Sequence, residues 1–298
     1  MTLPNPVILA LPFFIGLVCA EIVLGRFRGS VRYEMRDALA SLSMGLGNFI
    51  VGFGAIVVIF AAFEGAYQYR VFDIGFQWWV FVLIFFAEDF TFYWFHRWSH
   101  EHRIWWAAHV NHHSSQHFNL STALRQTWTG FPCLSWIAWI PLAFIGFPPE
   151  LIIFQMGVSL VCQFWFHTEA IDTLWKPIEL IFNTPSHHRV HHAINPRYLD
   201  RNHGGILIIW DRLFGTFVPE DRENEQCRYG IIKPIGTFNP LRIAFHEWVS
   251  IFHDLSRNAP LAAKLNYLFS APGWRADGTG KTSAQIRDEY WAENSAAN

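Results

Sequence analysis

Charge is scarce in this chain. Of its 298 residues only 15% are Asp, Glu, Lys or Arg, and the formal net charge is −2. That leaves no basic surface to attract nucleic acid and too few ions to solvate a long coiled coil or a disordered tract. Cysteine is sparse as well: Cys19, Cys133, Cys162 and Cys227 stand far apart, three of them in apolar stretches. Neither a disulfide framework nor a CxxC zinc site is signalled, and the four read as packing residues. The 20 glycines follow no period, which excludes a collagen-like chain. What is plentiful is apolar: 52% hydrophobic residues, 29 Phe and 15 Trp, with a mean hydropathy of +0.17. The composition is that of a chain built into a membrane.

Apolar stretches at 3–25 and 38–63 are each long enough for the ~20 residues of helix that cross a bilayer core. A third runs over 74–95, with Glu88 and Asp89 in its last third. An uncharged run at 126–149 contains a fourth span, and a turn at Gly146, Phe147, Pro148 and Pro149 leads into a fifth at 151–166. The N-terminal stretch has no basic flank and no small-residue cleavage site, so it reads as a retained helix. Five spans agree with the charge bias. With Arg26, Arg28, Arg32 and Arg36 in a cytoplasmic first loop, only Arg70 among the Lys and Arg falls on the opposite side. The expected organisation is N-terminal transmembrane helices over 1–70, a catalytic domain with three further spans over 71–275, and a polar, frayed tail over 276–298.

Fifteen histidines are the anomaly, and all follow residue 95. His96 and His100 lie four apart; His109, His112 and His113 follow an HxxHH spacing, repeated by His188, His191 and His192. Residues at i, i+3 and i+4 share a helix face. With His167 at the end of the fifth span these make nine imidazoles, too many for one ion at four or five ligands each, so two ions are expected. His187 is a candidate tenth. Imidazole suits iron, zinc, copper or nickel. His246 and His253 read as interfacial packing residues, and His102, His117 and His203 as surface or supporting positions. Arg97 stands where an HExxH zinc protease needs its glutamate, which disfavours that class.

A ligating imidazole usually gives its other N–H to a carboxylate or carbonyl, and acids inside a span are expensive and usually functional. Asp89, Glu101 and Glu169 are therefore the candidate acids of the site, with Asp89 on the face of His96. Trp210, Asp211 and Arg212 read as a structural clasp, an Asp–Arg pair bracing the last HxxHH helix. Trp78, Trp79, Phe85, Phe86, Trp136, Trp139, Phe164 and Trp165 line an apolar slot or face lipid.

The HxxxH…HxxHH…HxxHH order resembles the fatty acid hydroxylase and sterol desaturase superfamily of integral-membrane di-iron enzymes. Within it, the segment DFTFYWFHRWSH at 89–100, NLSTALRQ at 119–126, QFWFHTE at 163–169, NTPSHHRVHH at 183–192 and WDRLFGTF at 210–217 are similar to the alkylglycerol monooxygenase branch. The resemblance implies an all-α, multi-pass membrane bundle with a cytoplasmic, helical, His-rich metal-binding cap. It implies two iron ions held by His96, His100, His109, His112, His113, His167, His188, His191 and His192, with His187 in the motif. It further implies O2-dependent hydroxylation of a C–H bond in a membrane lipid, with electrons from a pterin or a redox protein, and a bacterial inner membrane or an endoplasmic reticulum as the location. A sterol-desaturase-type enzyme is the alternative within the class. A histidine-rich metal transporter is the rival outside it, although a transporter should place its ligands at mid-membrane.

Overall fold

The computed structural model describes residues 3–29 and 31–295; the outermost ends of the two terminal segments expected above, 1–2 and 296–298, lie outside them. Among the described residues the structure is helical throughout, without a named strand, and its only β pairing is two isolated bridges, Phe182 with Leu207 and Ala193 with Tyr229.

Three helices are long and apolar enough to cross a membrane: α1 (Pro6–Arg28), α2 (Met35–Tyr67) and α3 (Trp78–Glu101). Asn5 starts α1, its side chain accepting from the N–H groups of Val7 and Ile8, and Gly29 ends it in the left-handed region at φ +63°. Glu34 caps α2 through the N–H of Asp37. Along all three, large apolar side chains such as Phe13, Phe53 and Trp78 stand exposed, as lipid-facing positions require.

The fourth and fifth expected spans take a different form. A 3₁₀ turn (Ser135–Trp139) and α5 (Ile140–Ile145) make only eleven helical residues, and α6 (Pro149–Phe164) makes sixteen. At ~1.5–2.0 Å per residue neither reaches the ~30 Å of a hydrocarbon core. Pro132 and the left-handed Leu134 (φ +60°) prevent a continuous helix through the uncharged run. The hairpin α5–α6 is buried instead against α2 and α3, where Phe63, Val80, Ile84, Trp139, Leu142 and Leu151 form one core. Its tip meets the α2–α3 loop: Val71 and Phe72 donate to the carbonyls of Phe144 and Ile145. The chain therefore returns to the end of α3 that carries its histidines.

Over that end lie α4 (Arg103–His113), α7 (Lys176–Ile181), α8 (Pro185–His191), α9 (Ile209–Phe214), α10 (Pro240–Ser256) and α11 (Leu261–Phe269). Two buried arginines join this layer together. Arg125 pairs with Asp37 at 2.5 Å and donates to Ser41, tying the segment after α4 to the start of α2. Arg103 reaches Glu247, Asp254 and Ser250, tying α4 to α10. Gly47 lets the indole of Trp128 lie directly on α2, where a β-carbon would stand 2.3 Å from the ring; the indole donates to Met44 O at 2.8 Å. The C-terminal segment is not a frayed tail. It forms α12 (Ser283–Ser295), which folds back on the cap, Arg287 donating to Leu199 O and Tyr290 to Glu225.

Candidate metal centre

One face of α3 carries Asp89, Tyr93, His96 and His100, all buried, at the i, i+4, i+7, i+11 spacing that a helix stacks in a row. α4 leaves α3 at a single extended residue, His102, and lays His109, His112 and His113 against that row. α6 ends just before His167, and α8 brings His188, His191 and His192. The rotation of α8 is fixed by Arg189, fully buried, which holds Glu220 at 2.7 Å and donates to the carbonyls of Thr168, Ile171 and Asp172.

The nine imidazoles fall into two groups: His96, His100, His109, His113 and His191, and His112, His167, His188 and His192, with the ligand atoms of each group within 4.8 Å of one another. Each HxxHH motif is divided between the two groups. The i and i+4 residues of 109–113 face the first group and those of 188–192 the second, while His112 and His191, at i+3, cross to the other group.

Their hydrogen bonds define what these rings can do. His96, His112, His167 and His191 place Nδ1 on the carbonyls of His203, Arg125, Gln163 and Arg201 at 2.8–3.3 Å. A carbonyl only accepts, so each Nδ1 carries the proton and each Nε2 is a bare lone pair. Yet His112 Nε2 and His167 Nε2 lie 3.1 Å apart, and His191 Nε2 is buried with no partner. Two lone pairs at that distance repel unless a cation lies between them. The spacing suits one: with metal–nitrogen bonds of about 2.1 Å, ligands at right angles stand roughly 3.0 Å apart. The Nε2 pairs His96–His109, His109–His113, His167–His188 and His188–His192 measure 2.9–3.2 Å. Burial, then the neighbouring rings, push His109, His112, His113, His188, His191 and His192 well below the usual imidazole range, and burial pushes His167 down to about 4. At neutral pH these rings are uncharged ligands. The donor set therefore fits two divalent metal ions.

His187 stands outside both groups, Nε2 on Glu179 at 3.0 Å and Nδ1 near Thr184. None of the three candidate acids bonds to an imidazole. Asp89 is occupied by the N–H groups of Ile206 and Leu207 and the indole of Trp210; Glu101 pairs with Arg97 on the more exposed side of α3; Glu169 takes the Tyr229 hydroxyl. The carboxylate that does reach a ligand is Asp200, 3.2 Å from His100 Nδ1. It sits in a turn with left-handed Asp200 and Asn202, and the only sequence signal for it is the run of turn-forming residues 200–205.

The expected Asp211–Arg212 pair is absent. Asp211 is fully buried and accepts from the N–H groups of His203 and Gly204 and from Thr216, while Arg212 turns outward to the carbonyls of Glu179 and Leu180. Asp89 and Asp211 thus clamp the two ends of one turn, whose His203 carbonyl holds His96. His203 itself, expected at the surface or in support, is buried against the rings of His96, His100 and His191.

A cavity of about 670 Å³ touches both groups through His100, His113, His191 and His192. Its apolar wall includes Trp106, Val110, Ile194, Ile232 and Trp274, and Lys233, Arg275 and Lys281 supply charge. It lies on the cap side. None of the eight aromatic residues expected to form a slot lines it.

Fold and site define a helical protein of membrane character built around paired polyhistidine groups. Residues 81–216, from α3 through Thr216, match the model of the fatty acid hydroxylase family. It is similar to alkylglycerol monooxygenase of Homo sapiens (39% identity over 96% of this chain and 63% of that protein) and of Danio rerio (40% over 91% and 60%). It is also similar to the ornithine lipid hydroxylase OlsE of Rhizobium tropici (32% over 43% of this chain and 39% of that protein). The chain spans about three-fifths of the length of the alkylglycerol monooxygenases just named. No solved structure matches it.

Two outcomes follow from the geometry. In purified protein, His112→Ala is expected to lose metal from the four-imidazole group and keep it in the other, whereas His187→Ala keeps both; full metal content in His112→Ala would refute the grouping. Asp211→Asn turns an amide N–H toward backbone donors, at a cost on the order of 1–3 kcal/mol, so melting temperature and metal retention should fall together. A normal melting temperature with normal metal content would show that Asp211 does not hold the turn.

Proposed function

We propose that this protein is a membrane di-iron oxygenase that uses O2 to hydroxylate a C–H bond of a lipid, with an ether lipid of the alkylglycerol type as the favoured substrate class. The carrying observation is the pair of buried imidazole groups, five and four, opening together on one cavity of about 670 Å³. That volume is within the ~300–1,000 Å³ of small-molecule sites. The relatives named as alkylglycerol monooxygenases, similar over nearly the whole chain, support the substrate class.

Two bound iron ions would supply O2 activation and the oxidising power to break an unactivated C–H bond. The overall change inserts one oxygen atom into C–H and reduces the other to water, consuming two electrons and two protons. The donor of those electrons is a pterin or a redox protein. The chain's own part is positional. Carbonyls 125, 163, 201 and 203 fix four imidazole tautomers, Asp200 orients His100, and Trp106, Val110 and Ile194 keep water from the reacting carbon. Asp89 is a positioning residue acting through the 203–207 turn. Hydroxylation beside an ether oxygen gives a hemiacetal that collapses to a fatty aldehyde and a glycerol derivative; at an acyl carbon it gives a stable hydroxy-lipid.

Protein reconstituted with ferrous iron should consume O2 and release fatty aldehyde from an alkylglycerol in the presence of a reduced pterin or a reduced ferredoxin. A hydroxylated acyl lipid instead would retain the oxygenase and change its substrate. Iron bound at two per chain, with no O2 uptake with either reductant, would overturn the reading.

We also place the metal groups on the cytoplasmic side, supported by the basic first loop at Arg26, Arg32 and Arg36 against the single Arg70 opposite. A reporter fused after Gln68 should be exported and one after Glu220 retained. The reverse pattern would invert the topology.

A further inference from the structure

α10 and α11 leave one side of themselves uncovered. On α10, Leu241, Phe245, Val249 and Phe252 follow one another at helical spacing and are exposed, while Ile243, Ala244 and Ile251 are buried on the opposite face. α11 repeats the pattern with Leu261, Leu265 and Phe269. An apolar stripe of this size in water is a standing liability, so something covers it.

Its height in the molecule says what. α10 packs on α2 at Ala40 and Met44, through Ile243 and Ala244. From Met44 to the end of α2 at Tyr67 the helix rises roughly 35 Å, close to the ~30 Å thickness of a hydrocarbon core. α10 therefore crosses α2 where that core ends. Its apolar stripe continues the exposed apolar surface of α2 at Leu39, Leu42 and Leu46. The charges are sorted to match. The acids of α10, Glu247 and Asp254, turn inward onto Arg103, whereas Arg242 and Arg257 are exposed. An apolar face with only basic groups at its exposed border is the pattern of a helix lying in a lipid interface, with anionic headgroups beside the arginines.

We propose that α10 and α11 lie flat in the headgroup boundary of the bilayer that holds α1–α3, their apolar stripe among the lipid chains and Arg242 and Arg257 among anionic headgroups. α10 is then a wall with lipid on one side and the cavity on the other, since His246, Glu247 and Ser250 line the cavity. The proposal rests on the membrane placement of α1–α3 and stands apart from the oxygenase reading.

The test uses the whole protein in nanodiscs containing anionic phospholipid. Nitroxide labels are placed one at a time by Val249→Cys, Phe252→Cys and Leu265→Cys, in a parent carrying Cys19→Ser and Cys162→Ala. Glu223→Cys, exposed on the cap, is the water-facing control. Labels on the stripe should be accessible to O2 and shielded from a water-soluble nickel chelate, and the control should show the opposite. Retained metal content certifies that each labelled chain is folded. Nickel accessibility at all three stripe positions would overturn the proposal. So would dipolar broadening that disappears when labelled chains are diluted with unlabelled ones, because a second copy would then be the cover.

Discussion

Four imidazoles whose Nδ1 atoms must donate to carbonyls, and whose Nε2 lone pairs therefore converge, are the constraint on which the rest of this structure depends. Neutral rings with facing lone pairs do not gather spontaneously, and burial removes the water that would separate them. The fold holds them by fixing the carbonyls first. Those of His203 and Arg201 belong to one turn, clamped by Asp89 from α3 and by Asp211 from α9. The carbonyl of Arg125 belongs to a segment whose own guanidinium is buried on Asp37. Three of the four imidazoles are thus oriented by backbone that a buried ion pair or a buried carboxylate immobilises, and His167 by the Gln163 carbonyl at the end of α6. A metal held there would gain its binding energy only when every segment is in place, which would couple its affinity to folding.

The division of each HxxHH motif between the two groups is a consequence of helix geometry. Residues at i and i+4 differ by about 40° around the axis and those at i and i+3 by about 60° in the opposite sense. A single turn therefore presents ligands to two points on either side of its axis. Two such turns facing one another, α4 and α8, define two points between them, with His113 and His192 stacked at 4.3 Å where the groups meet. Repeating the motif gives both imidazole groups a share of both helices, and neither group assembles without the other's scaffold.

Much of this was legible in the sequence. Nine histidines at helical spacing, all from residue 96 onward, picked out the imidazoles that the structure brings together, and three apolar stretches marked helices of spanning length. The misreadings share a physical cause. An uncharged run at 126–149 has the hydropathy of a span, but hydropathy does not register Pro132 or the left-handed turn at Leu134, and the segment is buried in protein as a short hairpin. Asp89 was expected to serve the imidazoles and Asp211 to pair with Arg212, but both serve backbone N–H groups, whose demand is invisible in side-chain spacing. His187 has the right neighbours in sequence and the wrong side of a seven-residue helix in space. The tail carries so little apolar periodicity that only its contacts with Leu199 and Glu225 show it to be part of the cap.

The cavity's position bears on how a water-insoluble molecule and a polar reductant could use one centre. Its floor is the imidazoles, one wall is α10 at the edge of the hydrocarbon, and the facing wall is built from Pro272, Trp274 and the start of α12. Lys233, Arg275 and Lys281 sit among the residues of that cavity, farther along the chain than every ligand. Arg275 is anchored on Asp254 of α10 at 2.7 Å and so joins the two walls, while Lys281 pairs with Glu289 of α12 at 2.7 Å within the second wall. The exposed Lys281–Glu289 pair contributes little to stability, about 0–1 kcal/mol, whereas Asp254 is buried and shared with Arg103. Buried ion pairs and carboxylates are thus concentrated where the geometry of the imidazoles is set.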